Sequence, residues 1–392
     1  MKAVIASAVR TPFGSFQGVL SPLKASEIGA AAIKEAVRRA GVENDHVDMV
    51  YMGNVLPAGM GQAPARQATI YAGLSEHTPT VTVSKVCGSG MESIIQAARA
   101  VMVGDANVVV AGGMESMTNA PYLVPGARGG LKMGDKQLVD HMVNDGLWDV
   151  YNDKHMGMCA ELCADKYSFS REDQDAFATA SYERAEKANK DGGFDDEMVS
   201  VEVTGRKGDV TVISEDEEPK KLNTDKISKL RPAFKRDGGS VTAANASGIN
   251  DGAAAVVVTS DEYASANGMP ILATIEGYSA NAIDPEWFTV APVGAMKKLF
   301  DKTDTKPEDY GLYEVNEAFA VVSMAAMEEF GISHDQINVH GGAVALGHPI
   351  GASGTRIVVT LLHAMKQRDQ ERGMASICIG GGEALAMAVA LA

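Results

Sequence analysis

Four cysteines in 392 residues are too few for a disulfide framework, so reduced thiols in a reducing, cytoplasmic compartment are the simpler expectation. Basic charge is scarce: 35 Lys and Arg stand against 51 Asp and Glu, a formal net charge of −16. That balance argues against a nucleic-acid partner, and a polyanionic cofactor would need a local basic pocket within an acidic surface. No apolar run approaches the roughly 20 residues of a membrane span, so no membrane role is expected. The opening stretch Met1 to Arg10 superficially looks like a signal peptide. Its apolar part is short, is closed by Arg10 and runs into Thr11-Pro12-Phe13-Gly14, which reads as a first buried strand. Gly380 to Gly382 lacks the Lys-Ser or Lys-Thr that completes a nucleotide loop, and that reading is discarded.

What is present is an ordered α/β composition, with 45% hydrophobic residues, 22% charged residues and 41 glycines. The length exceeds one ordinary core and implies two or three structural units. Val4 to Val9, Val47 to Val55, Val81 to Val86 and Asn107 to Ala111 read as strands. Ala25 to Ala40, stopped by Gly41, and Gly88 to Val103 read as helices, so the alternation predicts a mostly parallel, helix-covered sheet. From about Met114 to Asn245 glycine, charge and proline increase, around one long helix that starts at the capping box Ser170-Arg171-Glu172-Asp173 and ends at Gly192-Gly193. This stretch suits an excursion from the core, a lid or substrate-binding loop domain. After Gly248 an alanine-rich helix start is expected to run into the strand Ala255 to Thr259. Ser89-Gly90 and Ser353-Gly354 each open a helix that leads through a strand to Gly113-Met114-Glu115 and Gly381-Gly382-Glu383. The matching punctuation suggests an internal duplication, and two ordinary βαβ units would read the same way.

Chemistry concentrates where apolar runs meet glycine. Cys87 in Ser84-Lys85-Val86-Cys87-Gly88-Ser89-Gly90 stands where a strand hands over to a helix, whose positive end would lower a thiol pKa. Locally it reads equally as a nucleophile or as a small core residue. Cys378 ends an apolar strand before Gly380 to Gly382, whose backbone could supply oxyanion donors. His348, set in Gly347-His348-Pro349-Ile350-Gly351, reads as a preorganised base or as a structural histidine in a tight turn. Asn316, in Glu314-Val315-Asn316-Glu317-Ala318-Phe319, reads as a water-holding or histidine-orienting amide or as a helix cap. Two thiols and an imidazole suggest acyl transfer, one thiol attacking and the other moving a proton. His155, Cys159 and Cys163 share a helical face, but no fourth ligand stands near and apolar packing is preferred to a metal site. The run Lys220, Lys221, Lys226, Lys229 and Arg231 is suited to phosphates or to a solvated face.

Together these segments resemble the thiolase family, specifically its short-chain biosynthetic branch. The resemblance covers essentially the whole chain in order, from Arg10-Thr11-Pro12-Phe13-Gly14 through Cys87-Gly88-Ser89-Gly90 and Gly112-Gly113-Met114-Glu115-Ser116-Met117. It continues through His155-Met156-Gly157, Asn245 to Gly252, Asn316-Glu317-Ala318-Phe319 and Gly347-His348-Pro349 to Cys378-Ile379-Gly380-Gly381-Gly382. It implies a five-layered αβαβα fold of two duplicated halves with an inserted loop domain. The divisions expected are 1–117 and 248–270 for the N-terminal half, 118–247 for the loop domain and 271–392 for the C-terminal half.

The resemblance further implies an acetyl-CoA C-acetyltransferase, a ping-pong Claisen condensation of two acetyl-CoA to acetoacetyl-CoA and CoA. By that likeness Cys87 becomes acetylated, His348 activates it, and Cys378 moves the α-proton of the second acetyl-CoA. One oxyanion site would use His348 with a water on Asn316, the other the backbone N–H groups of Cys87 and Gly380. Leu147, His155, Met156, Ser247, Ala318 and Phe319 would contact coenzyme A, Met156 would shorten the acyl pocket, and Lys220 would meet the nucleotide phosphates. Acetyl-CoA, acetoacetyl-CoA and CoA are then substrates or products, with no permanently bound cofactor, no metal and a homo-oligomer, a dimer of dimers. Two departures stand out: Pro219-Lys220-Lys221 where relatives often carry arginine, and Glu383-Ala384 where many have an uncharged residue and glycine. A degradative 3-ketoacyl-CoA thiolase of broader chain length is the alternative enzyme. Ketoacyl synthases usually lack the second cysteine before a triple glycine, and a non-catalytic acyl-CoA carrier would not need Cys87, His348, Asn316 and Cys378 together.

Overall fold

The structure, a computed structural model, describes residues 1–221 and 224–392. Strand pairing runs in the order Leu312–Val315, Arg372–Ile379, Glu383–Leu391, Ala273–Ala282, Ala3–Arg10, Asn250–Ser260, Val108–Ser116, Met49–Gly53, Thr80–Val83. The junction in the middle is thin, only Val4 with Thr274 and Ile5 with Ala273, so two sheets meet along one edge. Read outward from it, each sheet repeats the same signs: the first two pairings are antiparallel and the next is parallel. The mirrored order is the duplication expected from the punctuation, at the level of topology.

Helices Ser89–Val103 and Ser353–Gln367 lie between the two sheets and pack on each other. Ala25–Ala40 covers the outer face of the first sheet, and Ala291–Thr303 that of the second. The apolar side chains divide accordingly into one core around the central helices and one under each outer layer. Ser353–Gln367 is buried along almost its whole length, well beyond the one apolar face of Ile357, Val358, Leu361, Leu362 and Met365 that its sequence shows. These are the five αβαβα layers.

Beyond Gly248 the expected helix start is absent: Asn250–Ser260 is one strand, buried throughout. Alanine favours a helix locally, but Ala254 and Ala255 pair with Gly113 and Gly112 between two covering helix layers. Small side chains are what such a strand needs, and tertiary packing overrides propensity. The excursion holds Arg171–Lys190, capped by Ser170 with Asp173 completing the box, and also Met156–Tyr167, capped by the His155 ring. Among the described residues no helix is long and apolar enough to cross a membrane.

Candidate active site

The strand Thr80–Val83 ends short of the expected Val86, because Lys85 to Ser89 close a tight turn. Gly88 N–H donates to the Lys85 carbonyl at 3.0 Å, and Ser89 Oγ donates to Val86 O at 2.7 Å. Val86 is held at φ 45°, a conformation β-branched residues avoid, so the turn stores strain immediately before the thiol. Helix Ser89–Val103 begins directly after, with Gly88 as its cap. A Cβ at Gly88 would collide with Ile379, so glycine is what lets this loop touch the one that follows Cys378.

Cys378 sits at the buried end of Arg372–Ile379, and the chain turns back through Gly380 to Gly382 into Glu383–Leu391. Lys85 forms an ion pair with Glu383, tying the nucleophile loop to that turn. The departure from the family pattern at Glu383 is thus occupied by a contact to the other loop.

His348 is brought in by the segment before helix Ser353–Gln367. Its N–H donates to Asn250 Oδ1 at 3.0 Å, and its Nδ1 lies 2.6 Å from Ser353 Oγ. Gly351 N–H, from the same loop, donates to Glu115 at 3.0 Å. Glu115 also accepts from Asn54 Nδ2, Val55 N–H and Leu56 N–H, so this buried carboxylate fastens the first sheet to the His348 loop. Asn316 follows Leu312–Val315, is fully buried, and leaves its Nδ2 without a partner among the described residues. Its neighbour Glu317 accepts from Ser181, Asn338 and Val344, a structural role.

One cavity of about 270 Å³ receives Cys87, His348 and Gly380. Leu147, His155, Met156, Ser247, Ala318 and Phe319 line it as well. The His155 ring accepts from Gly157 N–H through Nδ1 at 3.1 Å and stacks on Phe234 with centroids 4.7 Å apart. Phe234 lies so close to Gly157 that any Cβ there would strike the ring, which accounts for the glycine in His155-Met156-Gly157. Ser247 donates through both N–H and Oγ to the Ala318 carbonyl, joining the excursion to the Asn316 loop.

Asn316 and Cys378 are fully buried and do not line the cavity. Lys220 is not brought to it: it pairs with Glu215 and lines a separate cleft with Tyr182 and Glu183. Cys159 and Cys163 pack in the apolar core of the second half. Met117, Phe234, Ile249, Phe288 and Ile350 also line it; Met117, Ile249 and Ile350 carry no assigned role within their motifs, and Phe234 and Phe288 were not singled out in the sequence. The one local signal for them was Gly157, which implies a bulky neighbour without naming it.

Electrostatics set the resting protonation. Burial pushes the Cys87 thiol up to about 11, opposed by the backbone N–H groups of Gly380 and of Cys87 itself, with Glu115 adding to the rise. Burial, then the nearby Cys87, pushes Cys378 well above the ordinary thiol range. Burial, then the charge of Arg356, holds His348 down at about 3. At neutral pH the site therefore rests as two thiols and a neutral imidazole, with no preformed thiolate–imidazolium pair.

Such a set can move a proton from Cys87 to His348 as the sulfur attacks, and can stabilise an oxyanion with the Gly380 N–H. Residues 3–262 match the family model described as thiolase, N-terminal domain, and residues 269–391 the thiolase, C-terminal domain. The acetyl-CoA acetyltransferase of Cupriavidus necator is 51% identical over 98% of each chain. Acetyl-CoA acetyltransferase 2 of Arabidopsis thaliana is 48% identical over 99% of this chain and 96% of its own. The crystal structure of Acat5 thiolase from Ascaris suum in complex with coenzyme A superposes with a TM-score of 0.95, at 45% identity and complete coverage of both chains. With both family models spanning nearly the whole chain and the same fold in a solved relative, this protein belongs to the thiolase family.

Proposed function

We propose that this protein is an acetyl-CoA C-acetyltransferase that joins two acetyl-CoA into acetoacetyl-CoA and CoA, reversibly, through an acetyl-Cys87 intermediate. The observation that carries the reading is the meeting of Cys87, His348 and the Gly380 backbone in one cavity walled by Met156 and Phe319. In the cleavage direction His348 Nε2 takes the Cys87 proton as the sulfur attacks the 3-keto carbonyl. The negative oxygen forms at the N–H groups of Cys87 and Gly380. The C–C bond breaks, and the thiol of Cys378 gives its proton to the departing enolate. The raised thiol pKa of Cys378 suits an acid in this step. Incoming CoA then gives its proton to the Cys378 thiolate and displaces Cys87, which recovers its proton from His348. Condensation is the same sequence reversed.

The enolate oxygen lies with His348 and a water on the amide of Asn316. Coenzyme A, which the Ascaris thiolase binds, enters past Leu147, His155 and Ser247. Lys221 and Lys226, which share a cleft with Ala243 and Ala244 just before Ser247, are better candidates than Lys220 for the phosphates. Segment 118–247 acts as the loop domain over the two halves. A homotetramer is supported by Tyr122, Leu131, Met133 and Leu138, apolar and exposed on that segment, and the four free thiols fit a cytoplasmic setting.

The test is the initial rate of CoA-dependent thiolysis across 3-ketoacyl-CoA substrates of increasing chain length. Activity confined to acetoacetyl-CoA and its nearest neighbours supports the short-chain enzyme. Sustained activity on long chains would reassign the protein to the degradative class.

A further inference from the structure

Two side chains carry the proposed enolate site, and each is chemically ambiguous. An imidazole has two tautomers, and an amide can present either its oxygen or its nitrogen. Both ambiguities are resolved by the first turn of one helix, Ser353–Gln367. Ser353 Oγ donates to the Pro349 carbonyl at 2.9 Å, so its lone pair accepts from His348 Nδ1, 2.6 Å away. The ring proton is thereby kept on Nδ1, and Nε2, buried with no partner among the described residues, is left as the base. Three residues on, Arg356 is fully buried and held by Glu314 at 2.9 Å. A guanidinium only donates. Its Nη2 therefore takes Asn316 Oδ1, at 3.4 Å, and commits the unpartnered Nδ2 to the other side as a donor.

We propose that Arg356 and Ser353 are the positioning residues of the enolate site, Arg356 acting through Asn316 and Ser353 through His348. The proposal rests on the acetyltransferase reading. It adds a division of labour: the pair sits behind the site, touches no substrate and sets which atoms the site presents. Its i, i+3 spacing puts both groups on the same face of the helix.

The experiment separates the two half-reactions. Release of CoA on acetylation of Cys87 reads the first, and exchange of the acetyl-CoA methyl protons with D₂O reads enolate formation. Arg356→Lys keeps the charge opposite Glu314 and loses the planar fork. Arg356→Lys is expected to leave acetylation within about 3-fold while lowering exchange by about 100-fold, the scale of a lost oxyanion donor. In an Asn316→Ala background the same substitution should cost less than about 3-fold more, because its effect passes through that amide. Ser353→Ala should slow acetylation by about 10-fold, as expected for a misdirected general base, and Ser353→Thr should restore it. Should Arg356→Lys fail to fold, the Glu314→Leu/Arg356→Met pair removes both charges together and is read only by whether its effect on exchange vanishes in the Asn316→Ala background, because losing Arg356 also changes the charge beside His348. An equal fall in acetylation and exchange, an undiminished effect in the Asn316→Ala background, or wild-type acetylation in Ser353→Ala would each overturn the proposal. If the wild-type protein fails to acetylate Cys87, the acetyltransferase reading itself falls.

Discussion

The two halves share one plan and use it differently. In the first, a loop before a central helix carries Cys87, and the strand Val108–Ser116 ends in Glu115, which accepts hydrogen bonds and holds loops together. In the second, the matching loop before Ser353–Gln367 carries His348, and the matching strand ends in Cys378 with its glycine turn. One strand thus places a hydrogen-bonding carboxyl near its end, and the other a reactive thiol. The thiols differ too: Cys87 keeps an edge on the cavity, whereas Cys378 is fully enclosed. The difference teaches that a duplicated frame supplies positions, and that exposure at each position assigns the role. A nucleophile must meet a carbonyl carbon, while a proton donor needs only a short path to a carbon already held.

The strongest way to break this comparison is to remove the thiols one at a time. Cys87→Ala should lose acetylation and turnover by about 10⁴-fold or more, as nucleophile removals do, measured by CoA release and by thiolysis. Cys378→Ala should still acetylate, more slowly because the departing CoA no longer takes its proton from Cys378, and lose thiolysis of acetoacetyl-CoA by about 10³-fold, within the range of a lost general acid. Equal losses in both assays would erase the division between the halves.

Smaller effects sharpen it. Glu115→Ala leaves three buried backbone N–H groups unpaired and should cost about 3 kcal/mol or more in urea unfolding, with the loss shared by the His348 loop. Acid should destabilise the fold through His348. Its folded pKa of about 3 lies below the ordinary imidazole value of 6.5, so the unfolded chain binds a proton the folded chain refuses. Stability therefore falls as pH drops from 6.5 toward 3, by about 2 kcal/mol at about pH 5 from this group alone. Denaturant titrations of wild type and His348→Asn should diverge in that window and converge above it. Least of all, Glu383→Ala opens the ion pair between the two loops, and its partly exposed position limits the cost to about 1 kcal/mol.

The residues legible in the sequence were those marked by a break in pattern. Cys87, His348 and Cys378 each stand where an apolar run meets glycines, because close backbone approach requires both features together. The duplication was legible for the same reason, since the glycines recur at matching places. Phe234, Phe288 and Ile350 were not, because an apolar side chain lining a cavity looks like one filling a core. Lys220 was drawn toward a phosphate role by its charge and by the arginine that relatives often carry there, while in the fold it pairs with Glu215 in a separate cleft. Arg356 was not singled out: it stands at the head of a helix with one apolar face, and only the fold pairs it with the buried Glu314 and Asn316. The strand at Asn250–Ser260 misled because alanine marks both good helices and tightly sandwiched strands.

The most direct test of the account is peptide mapping of the Cys378→Ala protein after incubation with acetyl-CoA alone. The account predicts one acetyl group per chain on the peptide carrying Cys87, an equal amount of free CoA and no acetoacetyl-CoA. Acetyl on another residue, no acetyl at all, or acetoacetyl-CoA formed at the wild-type rate would contradict it.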